Sequence, residues 1–566
     1  MKKLFNKIKQ KCKDLINWKY FPILIIFLFS ILSVYPELLG KFHFGHDTEF
    51  HLASIKTYAD YLPLSIFTKI FPDIAYNFGF GMGFFYPALP HIVGAIIYKI
   101  VSIFGKGLLV TSVLLQLITF FFIGLSMYVL GCKVFNDKKK GLIASLFYMT
   151  YNYVYVDIIF RWAINEAFVF IFIPLIFLGI WYLLKENNKK MFYIFFTLGY
   201  IGLMYSHLVM AVWFTIFLIV FLLFFIKDVF KRENLMAFII ASIIILIFTS
   251  TFTVPMIEHK LFGKYFAFEA DRRMKIGSIS YIPLLGYFIF YSPHIDKIIY
   301  SNFNYIVSIF FVIALYRLFT KKIPNERKKY VVAIFTFGLV SLIFETIPYI
   351  WLHVPNILLS VQVVWRLSIF IGFAFCLFAA EGLDSYLELF KKKYIKTALL
   401  IIIVILSLFV KKNINKTIYY DPILNNNFAY YNVANEHLPV KTHINLYYLH
   451  TRNHKVLVKK GEANIKILSN NVPDMKFKVT NIKNNATLEL PRFYYLGYKI
   501  TDSKGNEIKY TEDKYGFISI KVNKNDTYTV KYVGTNAYKI AFIAKGVMCI
   551  LILIYFGKQY LIKTTK

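Results

Sequence analysis

The sequence predicts a polytopic α-helical membrane protein that carries a C-terminal β-rich domain outside the membrane. Hydrophobic residues make up 58% of the 566 residues, whereas charged residues make up only 17%. Apolar runs of about 20 residues, the length that crosses a bilayer, recur between residues 20 and 410. Residues 411–537 show short alternating stretches instead, which are typical of β-strands. These observations predict a helical membrane region followed by a β-sandwich.

The apolar runs predict twelve transmembrane helices. The first follows a segment with seven lysines and lacks a small-residue cleavage site, so we interpret it as an anchor rather than a removed signal peptide. The apolar stretch 191–226 is too long for one span, and we expect it to turn near Tyr205-Ser206-His207. The expected spans are 20–38, 108–131, 141–156, 167–184, 190–206, 208–226, 236–254, 302–319, 330–347, 366–384, 396–410 and 538–556.

The basic residues between the spans set the predicted orientation. Segment 86–104 contains Pro87, Pro90 and Lys99, and we predict that it is interfacial or re-entrant rather than spanning. Nineteen lysines and arginines then face the cytoplasm, in the blocks 133–140, 185–190, 227–232, 320–329 and 391–396. The prediction is a membrane domain at 1–410 with a large outer loop at 39–107, an outer β-rich domain at 411–537, and a last span and tail at 538–566. Both termini are expected in the cytoplasm.

Charge and cysteine content narrow the class of protein further. The net charge of +34 is compatible with nucleic-acid binding. However, the basic residues lie in short blocks between apolar runs, where they set topology and contact anionic lipid. We therefore expect membrane lipid, and no nucleic acid, among the partners. Cys12, Cys132, Cys376 and Cys549 show no metal-type spacing, so neither a disulfide framework nor a zinc site is predicted.

The main candidate site is segment 43–51, which follows the first predicted span and contains three histidines with Asp47 and Glu49. Asp47 and His51 are four residues apart and would share one face of a helix. Such a pair at a membrane surface can accept a proton, bind a metal ion or hold a ligand. We favour Asp47 as a general base, although a divalent metal ion could bind these carboxylates. The alternative is a polar loop that caps a helix, because Asp47 and Thr48 are good N-caps.

Further ionisable residues lie at the predicted outer ends of the spans, and they could converge on one cavity. Arg161 and Arg366 carry guanidinium groups, whose geometry fits a lipid phosphate. The alternatives are an ordinary helix start with an Arg161–Glu166 pair, and a snorkelling side chain at Arg366. Outer loops also hold polar residues without any site. The cavity candidates are His46, Asp157, Glu166, His207, Glu258 and His259, and the candidate cations are Arg161, Arg272, Arg273 and Arg366.

The glycine-rich segment 78–87 has no strand before it and no GK[ST] sequence after it, so it is not predicted to be a phosphate loop. We interpret it as an aromatic turn, with a sugar or lipid contact as the alternative. Ser206 beside His207 is not by itself a nucleophilic pair. Both segments belong to a set of short motifs: GHDTEFHL at 45–52, Gly79-Phe-Gly with Phe85-Tyr86-Pro87, Arg161 with Glu166, Ser206-His207, QVVWR at 362–366, NEHLP at 435–439 and LPRFYYLGY at 490–498.

These motifs cover nearly the whole chain and resemble a bacterial family of large membrane proteins with a 6-pyruvoyl-tetrahydropterin synthase-related membrane domain. That family is similar to the YfhO-like GT-C glycosyltransferases. The chain departs from the family pattern at His437, where a tyrosine is usual, and at Val363-Val364, where Phe-Pro is usual. The resemblance implies a GT-C fold in the bacterial plasma membrane, a polyprenyl-phosphate-linked sugar as donor, and an acidic general base in the first outer loop.

On this sequence the resemblance assigns the base to Asp47, with Glu49 or His51 orienting it. The leaving lipid phosphate would be held by Arg161, Arg366 or the Arg272-Arg273 pair. The implied reaction is an inverting transfer to a glycan or wall-polymer acceptor; no cofactor is assigned to it, and a divalent metal ion stays possible. Two other classes stay open: a transporter or flippase of lipid-linked saccharides, and a non-catalytic scaffold of envelope assembly.

Overall fold

The structure is a computed structural model, and it describes residues 19–72, 74–269, 303, 305–383, 402 and 437–564. These residues are mostly helical, and their named β-strands all lie between Leu457 and Tyr532. The predicted combination of apolar helices with a C-terminal β-rich domain is therefore confirmed. The chain divides into two compact units: a first unit of Met1–His51, Ile100–Ser242 and Arg272–Asp421, and a second unit of Leu52–Lys99, Ile243–Asp271 and Pro422–Lys566.

The helices are numbered here where they have twelve residues or more. They are α1 (Phe21–Ser33), α2 (Thr48–Asp60), α3 (Leu89–Ser102), α4 (Leu108–Phe135), α5 (Lys138–Met149), α6 (Ile164–Glu186), α7 (Lys189–Ser206), α8 (Leu208–Leu223), α9 (Arg232–Phe262), α10 (Tyr305–Phe319), α11 (Asn325–Thr346), α12 (Ser368–Glu381) and α13 (Asn536–Thr564). Shorter helices are Tyr35–Leu38, Met82–Phe85, Asn152–Tyr155, Ile226–Val229, Phe266–Glu269, Val440–Ile444 and Leu446–Thr451. Single helical turns occur at Leu64–Ile66, Val156–Phe160, Pro348–Leu352, Asn356–Val361 and Val364–Leu367.

Six helical segments of the described chain are long and apolar enough to cross a membrane. They are α4, α6, α9, α11, Val364–Glu381 and Asn536–Tyr555, and α5 with Asn152–Phe160 would be a seventh, bent by 57°. Helices α1, α3, α8 and α10 are apolar but shorter. Several spans are thus confirmed, but the number twelve is not, and most of the predicted span at 396–410 lies outside the described residues. The expected turn at 205–207 is confirmed, since α7 ends at Ser206 and α8 begins at Leu208.

The buried centre of the first unit is formed by α6 and by the segment that ends in α12. The apolar windows of these two are 83% and 89% buried, compared with 33% for α9. Phe177 of α6 stacks on Phe373 of α12 with ring centroids 4.8 Å apart. The hydroxyl of Tyr330 on α11 donates a hydrogen bond to the carbonyl oxygen of Phe177 at 2.5 Å. This packing fixes the first turn of α6, which contains Glu166, and the turn Val364–Leu367 before α12, which contains Arg366.

The β-rich part of the second unit is one antiparallel sheet. Its strands are β1 (Leu457–Asn471), β2 (Asp474–Phe493), β3 (Tyr498–Thr501), β4 (Tyr510–Glu512), β5 (Phe517–Val522) and β6 (Asp526–Tyr532). Five of them lie side by side in the order β3-β6-β2-β5-β4, and β1 pairs with β2 outside this path. The long strand β2 pairs with β1, and it also pairs with β6 near its start and with β5 near its end. Four register shifts interrupt the β1–β2 ladder. The described strands form a single sheet, so the two sheets of a sandwich are not confirmed.

Helices α4 and α5 approach each other closely at a pair of glycines. A Cβ atom at Gly141 would lie 2.5 Å from the Sγ atom and 2.8 Å from the backbone nitrogen of Cys132. A Cβ atom at Gly131 would lie 2.9 Å from the Cα atom of Gly141. Because backbone atoms cannot move aside as a side-chain end can, a larger residue at position 141 must push the two helices apart.

We therefore expect Gly141→Val to lower the free energy of unfolding by about 1–3 kcal/mol, the usual cost of overpacking. Thermal unfolding of the detergent-solubilised protein measures this. Gly546→Val is the matched control, since Gly546 is also helical and has no neighbouring atom within 4 Å of an added Cβ. Equal unfolding midpoints for Gly141→Val and the wild type would contradict the close approach.

Candidate active site

The polar site of the first unit is built on the connection between α5 and α6. Helix α5 bends into Asn152–Phe160, whose last turn, Val156–Phe160, is a π-helix. Trp162 then has a φ of 58°, a left-handed conformation that is rare for a bulky residue. Single π-turns and strained backbone of this kind cluster at functional sites. Together they turn Asp157 and Arg161 toward the start of α6.

Arg161 lies at the centre of a buried ion network. Its Nη1 atom donates to Asp157 Oδ1 at 2.8 Å, to the Tyr153 hydroxyl at 3.1 Å and to Glu166 Oε2 at 3.2 Å. The Tyr153 hydroxyl donates in turn to Glu166 Oε1. The side chains of Arg161, Asp157 and Glu166 are at most 6% exposed. Because a buried charge is stable only when it is paired and hydrogen-bonded, these groups depend on one another.

Arg366 enters the same network from a distant part of the chain. Its Nε atom donates to Glu166 Oε2 at 3.0 Å. Its Nη1 atom donates to the carbonyl oxygen of Val361 at 2.9 Å and to Gln362 Oε1 at 2.6 Å. Gln362 has a φ of 66°, a second left-handed residue beside the network. Glu166 is therefore shared by two arginines, which both donate to its Oε2 atom.

Asp47 is the solvent-accessible carboxylate of the network. Its Oδ2 atom lies 3.5 Å from Arg161 Nη2, and its side chain is 40% exposed. The backbone holds this position: the Asp47 amide donates to the carbonyl oxygen of Arg161 at 2.9 Å. A Cβ atom at Gly45 would lie 2.3 Å from the carbonyl oxygen of Phe160, so only glycine permits this approach. The carboxylate is thus held in place without being buried.

The predicted partners of Asp47 lie in the first turn of α2, which begins at Thr48. Asp47 precedes the helix as expected for an N-cap. Glu49 is half-buried. His51 is 1% exposed, and its ring lies 6.0 Å from the ring of Trp162. Burial, and then the charge of Arg161, lower the pKa of His51 to about 3. His51 is therefore neutral at physiological pH, and its buried ring belongs to the packed interior next to Asp47.

Of the remaining predicted site residues, His207 lies close enough to the network for the charges of Arg366, Glu166 and Arg161 to act on its ring, whereas the others are distributed more widely. His46 is exposed and contacts Phe160 edge-on, with ring centroids 6.3 Å apart. His207 caps the start of α8, and its Nδ1 accepts from the Met210 amide at 3.4 Å. Next to it, the Asn165 side chain donates to the carbonyl oxygen of Ser206 at 3.0 Å, which ties the first turn of α6 to the end of α7.

Glu258 and His259 belong to the second unit. Glu258 Oε2 accepts from the Thr535 hydroxyl at 2.6 Å. His259 is buried, stacks on Phe84 at 4.2 Å, and accepts at Nε2 from the Leu496 amide at 3.2 Å. Arg272 and Arg273 lie outside the described residues. The structure therefore groups Asp47, Asp157, Arg161, Glu166 and Arg366, whereas one cavity that also includes the other candidates stays a prediction.

Sequence reasoning did not assign a role to Tyr153, and it quoted Gln362 only within a motif. Both side chains bind the arginines directly. A signal was present for Tyr153, because three tyrosines alternate in the segment 151–155 shortly before Asp157. An aromatic hydroxyl among apolar residues needs a hydrogen-bond partner, and the nearby charged residues are the natural ones.

A metal ion has no evident place in this network. Among the residues that the structure describes, no group of three or more His, Cys, Asp or Glu side chains could hold one. Asp47, Asp157 and Glu166 surround a guanidinium instead, so Arg161 fills the position that a cation would take.

Comparisons with known proteins give limited similarity. No family model matches the chain. An uncharacterized protein of Lactococcus lactis subsp. cremoris (strain MG1363) is 25% identical over 363 residues, which are 61% of this chain. The aligned part spans 57% of that relative's length.

The fold comparison finds the oligosaccharyltransferase of Archaeoglobus fulgidus. Its crystal structure with a tethered acceptor peptide matches with a TM-score of 0.43 and 13% identity, over 70% of this chain and 55% of that one. Its apo form matches with a TM-score of 0.39, and the complex of AglB from the same organism with an inhibitory peptide and a dolichol-phosphate matches with 0.33. Similarity at this level assigns neither a fold family nor an activity.

Glu166 is the carboxylate that Arg161 and Arg366 share, so its replacement tests the importance of the network. We expect Glu166→Gln to lower the free energy of unfolding by about 3–5 kcal/mol, because it leaves two buried arginines without their common anion. Chemical or thermal unfolding in detergent measures this. Glu186→Gln, on the same helix, removes a half-exposed pair with Lys133 and should cost at most about 1 kcal/mol. If the two variants are equally stable, the buried network does not support the fold.

The neutral His51 generates a second prediction. The unfolded chain binds a proton at His51 below about pH 6.5, but the folded protein excludes it until about pH 3. The free energy of unfolding therefore falls as the pH is lowered through this window, by up to about 1.4 kcal/mol per pH unit for this group.

We expect His51→Asn to show a shallower loss of stability between about pH 6 and pH 4 than the wild type, by up to one proton. Unfolding transitions measured across that range test this. His46→Asn, which removes an exposed imidazole five residues earlier, is the matched control. The same pH slope in wild type and His51→Asn would show that His51 is not held neutral.

Proposed function

We propose that this protein is a membrane glycosyltransferase of the GT-C type, which moves a sugar from a polyprenyl-phosphate donor to an acceptor outside the membrane. The observation that carries the proposal is the accessible Asp47 carboxylate, which is anchored on a buried ion network next to membrane-spanning helices. The sequence motifs that resemble the YfhO-like family support it. Under this proposal the chain lies in a bacterial plasma membrane with both termini in the cytoplasm.

Asp47 would act as the general base. An acceptor hydroxyl is a poor nucleophile at neutral pH, so its proton must leave as its oxygen attacks the anomeric carbon. Asp47 Oδ2 accepts that proton, the new glycosidic bond forms, and the bond from the anomeric carbon to the phosphate oxygen breaks with its electrons on the phosphate. Attack opposite to the leaving group inverts the anomeric centre. Glu49 and His51, which follow Asp47 in α2, would keep the carboxylate in position.

Arg161 and Arg366 are the proposed cations for the leaving phosphate. Both already bind carboxylates, and their side chains are 6% and 14% exposed, respectively. We therefore assign the first phosphate contact to Arg366, while Arg161 chiefly aligns Asp47. Arg272 and Arg273 are further candidates for the phosphate. A preorganised guanidinium stabilises the charge that develops on the leaving group without reorganising during the reaction.

The β-rich domain would bind the acceptor, a glycan or wall polymer. A transporter or flippase of the same lipid-linked sugar would use the same cations without breaking the glycosyl bond. A non-catalytic scaffold would neither bind the lipid-linked sugar through these cations nor break its glycosyl bond. The proton-accepting geometry of Asp47 favours the transferase, since transport does not need a base.

The activity test compares wild type with Asp47→Asn in reconstituted membranes that contain a radiolabelled polyprenyl-phosphate sugar and an envelope-polymer fraction. We expect the variant to lose transfer of the label about 10²–10⁴-fold, the usual contribution of a positioned base. Its thermal stability should stay close to that of the wild type, because Asp47 is half-exposed and has only a long contact to Arg161.

Asp60→Asn, at the far end of the helix that Asp47 precedes, removes an exposed carboxylate that pairs with Lys56, and it should transfer label normally. Full transfer by Asp47→Asn would exclude Asp47 as the base. Label that crosses the bilayer while still attached to its lipid, without appearing in polymer, would replace the transferase with the flippase.

A further inference from the structure

The second unit contains a cavity of about 1230 Å³ that is separate from the ion network described above. It is lined by segment 64–70, by the end of β1 with the turn into β2, by β2 and β6, and by the first turns of α13. Every lining residue belongs to the second unit. Neither the sequence motifs nor the proposed transferase activity assigns this cavity a role.

The lining changes from charged to apolar along the cavity. The strands contribute Lys476 and Lys531, and the first turns of α13 contribute Lys539. Further along α13, Phe542 and Ile543 line the wall one turn after Tyr538 and Lys539, so these four residues share one helix face. Asn536–Tyr555 can span a membrane, and only 6% of it is buried. The apolar end of the cavity therefore runs along a helix that is open to lipid.

Lys69 is the lysine that segment 64–70 contributes to the cavity wall. Its Nζ atom lies 5.5 Å from the centroid of the Tyr538 ring. The backbone around it is fixed, because the Gly83 amide donates to the carbonyl oxygen of Lys69 at 3.1 Å. A Cβ atom at Gly83 would lie 2.8 Å from the Cα atom of Lys69, so this glycine of the 78–87 segment is needed for the contact. The glycine-rich segment thus presents Lys69 to the cavity.

The cavity has an excess of positive charge. Among the described residues, four lysines line it, and the carboxylate in that lining is Asp474, whose Oδ1 already accepts from the Tyr532 amide at 3.2 Å. Within the described part of the chain, Lys69 forms no salt bridge. Lys69 keeps part of its accessible surface, yet burial and the neighbouring Lys545 lower its pKa to about 7. An anion beside Lys69 would offset the repulsion between the Lys69 and Lys545 ammonium groups.

We propose that this cavity binds the head group of an anionic phospholipid, with the phosphate at Lys69 and an acyl chain along Phe67 and Phe542. The two rings are in contact, with centroids 5.6 Å apart, and they continue the apolar wall toward the span. Lysines next to a membrane helix attract anionic lipid. The apolar wall identifies the phosphate source as a lipid, because a free phosphate ion gains nothing from it.

The test uses the full-length protein in detergent micelles that contain equal amounts of phosphatidylglycerol and phosphatidylcholine. Native mass spectrometry then counts the lipids that stay bound. We expect wild type to retain phosphatidylglycerol in preference to phosphatidylcholine. Lys69→Gln should reduce that retention about five-fold, the effect of one lysine next to an anionic lipid. Lys69→Arg, which keeps the charge, should restore it.

Lys521→Gln is the matched control, since Lys521 is an exposed lysine on β5 that does not line the cavity. Should Lys69→Gln unfold, Lys539→Gln on the exposed surface of α13 replaces it as the test variant. Equal retention of the two lipids by wild type, or undiminished phosphatidylglycerol in both lysine variants, would overturn the proposal. Displacement of the lipid by an equal concentration of inorganic phosphate would show a free-anion site instead.

Discussion

The first unit depends on the burial of one guanidinium group. Moving an unpaired cation into an apolar interior costs several kcal/mol even after relaxation, so Arg161 is compatible with the fold only with anions around it. Asp157, Glu166 and Asp47 supply them from three different segments. The requirement therefore acts as a constraint on tertiary structure: the segment before α2, the turn after α5 and the first turn of α6 must meet at one point.

Because Arg161 is buried and Asp47 is not, different residues supply the two properties that a catalytic carboxylate needs. A base must be accessible to its substrate, but it must also be held within a few tenths of an ångström of a productive position. Burial in the ion network holds Arg161 in a fixed position. The hydrogen bond from the Asp47 amide to the Arg161 carbonyl oxygen therefore also fixes Asp47, whose carboxylate stays half-exposed. Arg366 extends the network to the turn before α12, so the starts of both buried helices contribute to the site.

Much of this site could be predicted from the sequence, because ionisable residues in a strongly apolar chain are few and the orientation rule assigns them to one face. That reasoning selected Asp47, Arg161, Glu166 and Arg366. It could not predict that Arg366 pairs with Glu166, since these residues are 200 positions apart and no local pattern links them. The π-turn before Arg161 and the left-handed Trp162 arise from packing, which periodicity does not report. The same limit applies to the spans: apolar runs identified α4, α6 and α11, but they did not reveal that α5 ends in a sharp bend or that α1 and α10 are short.

The alternating stretches of the C-terminal domain identified its strands, and the hairpin of β1 and β2 has a consequence for the behaviour of the protein outside the membrane. Within the described strands, β1 pairs with β2 alone, so its other edge presents unpaired backbone groups over fifteen residues. Such edges invite strand addition between molecules. Lys459, Lys460 and Lys466 lie along this strand, and its four register shifts disturb the regular ladder. Positive charge and irregular pairing are devices by which natural sheets resist edge-to-edge aggregation, so this edge carries two features that disfavour strand addition.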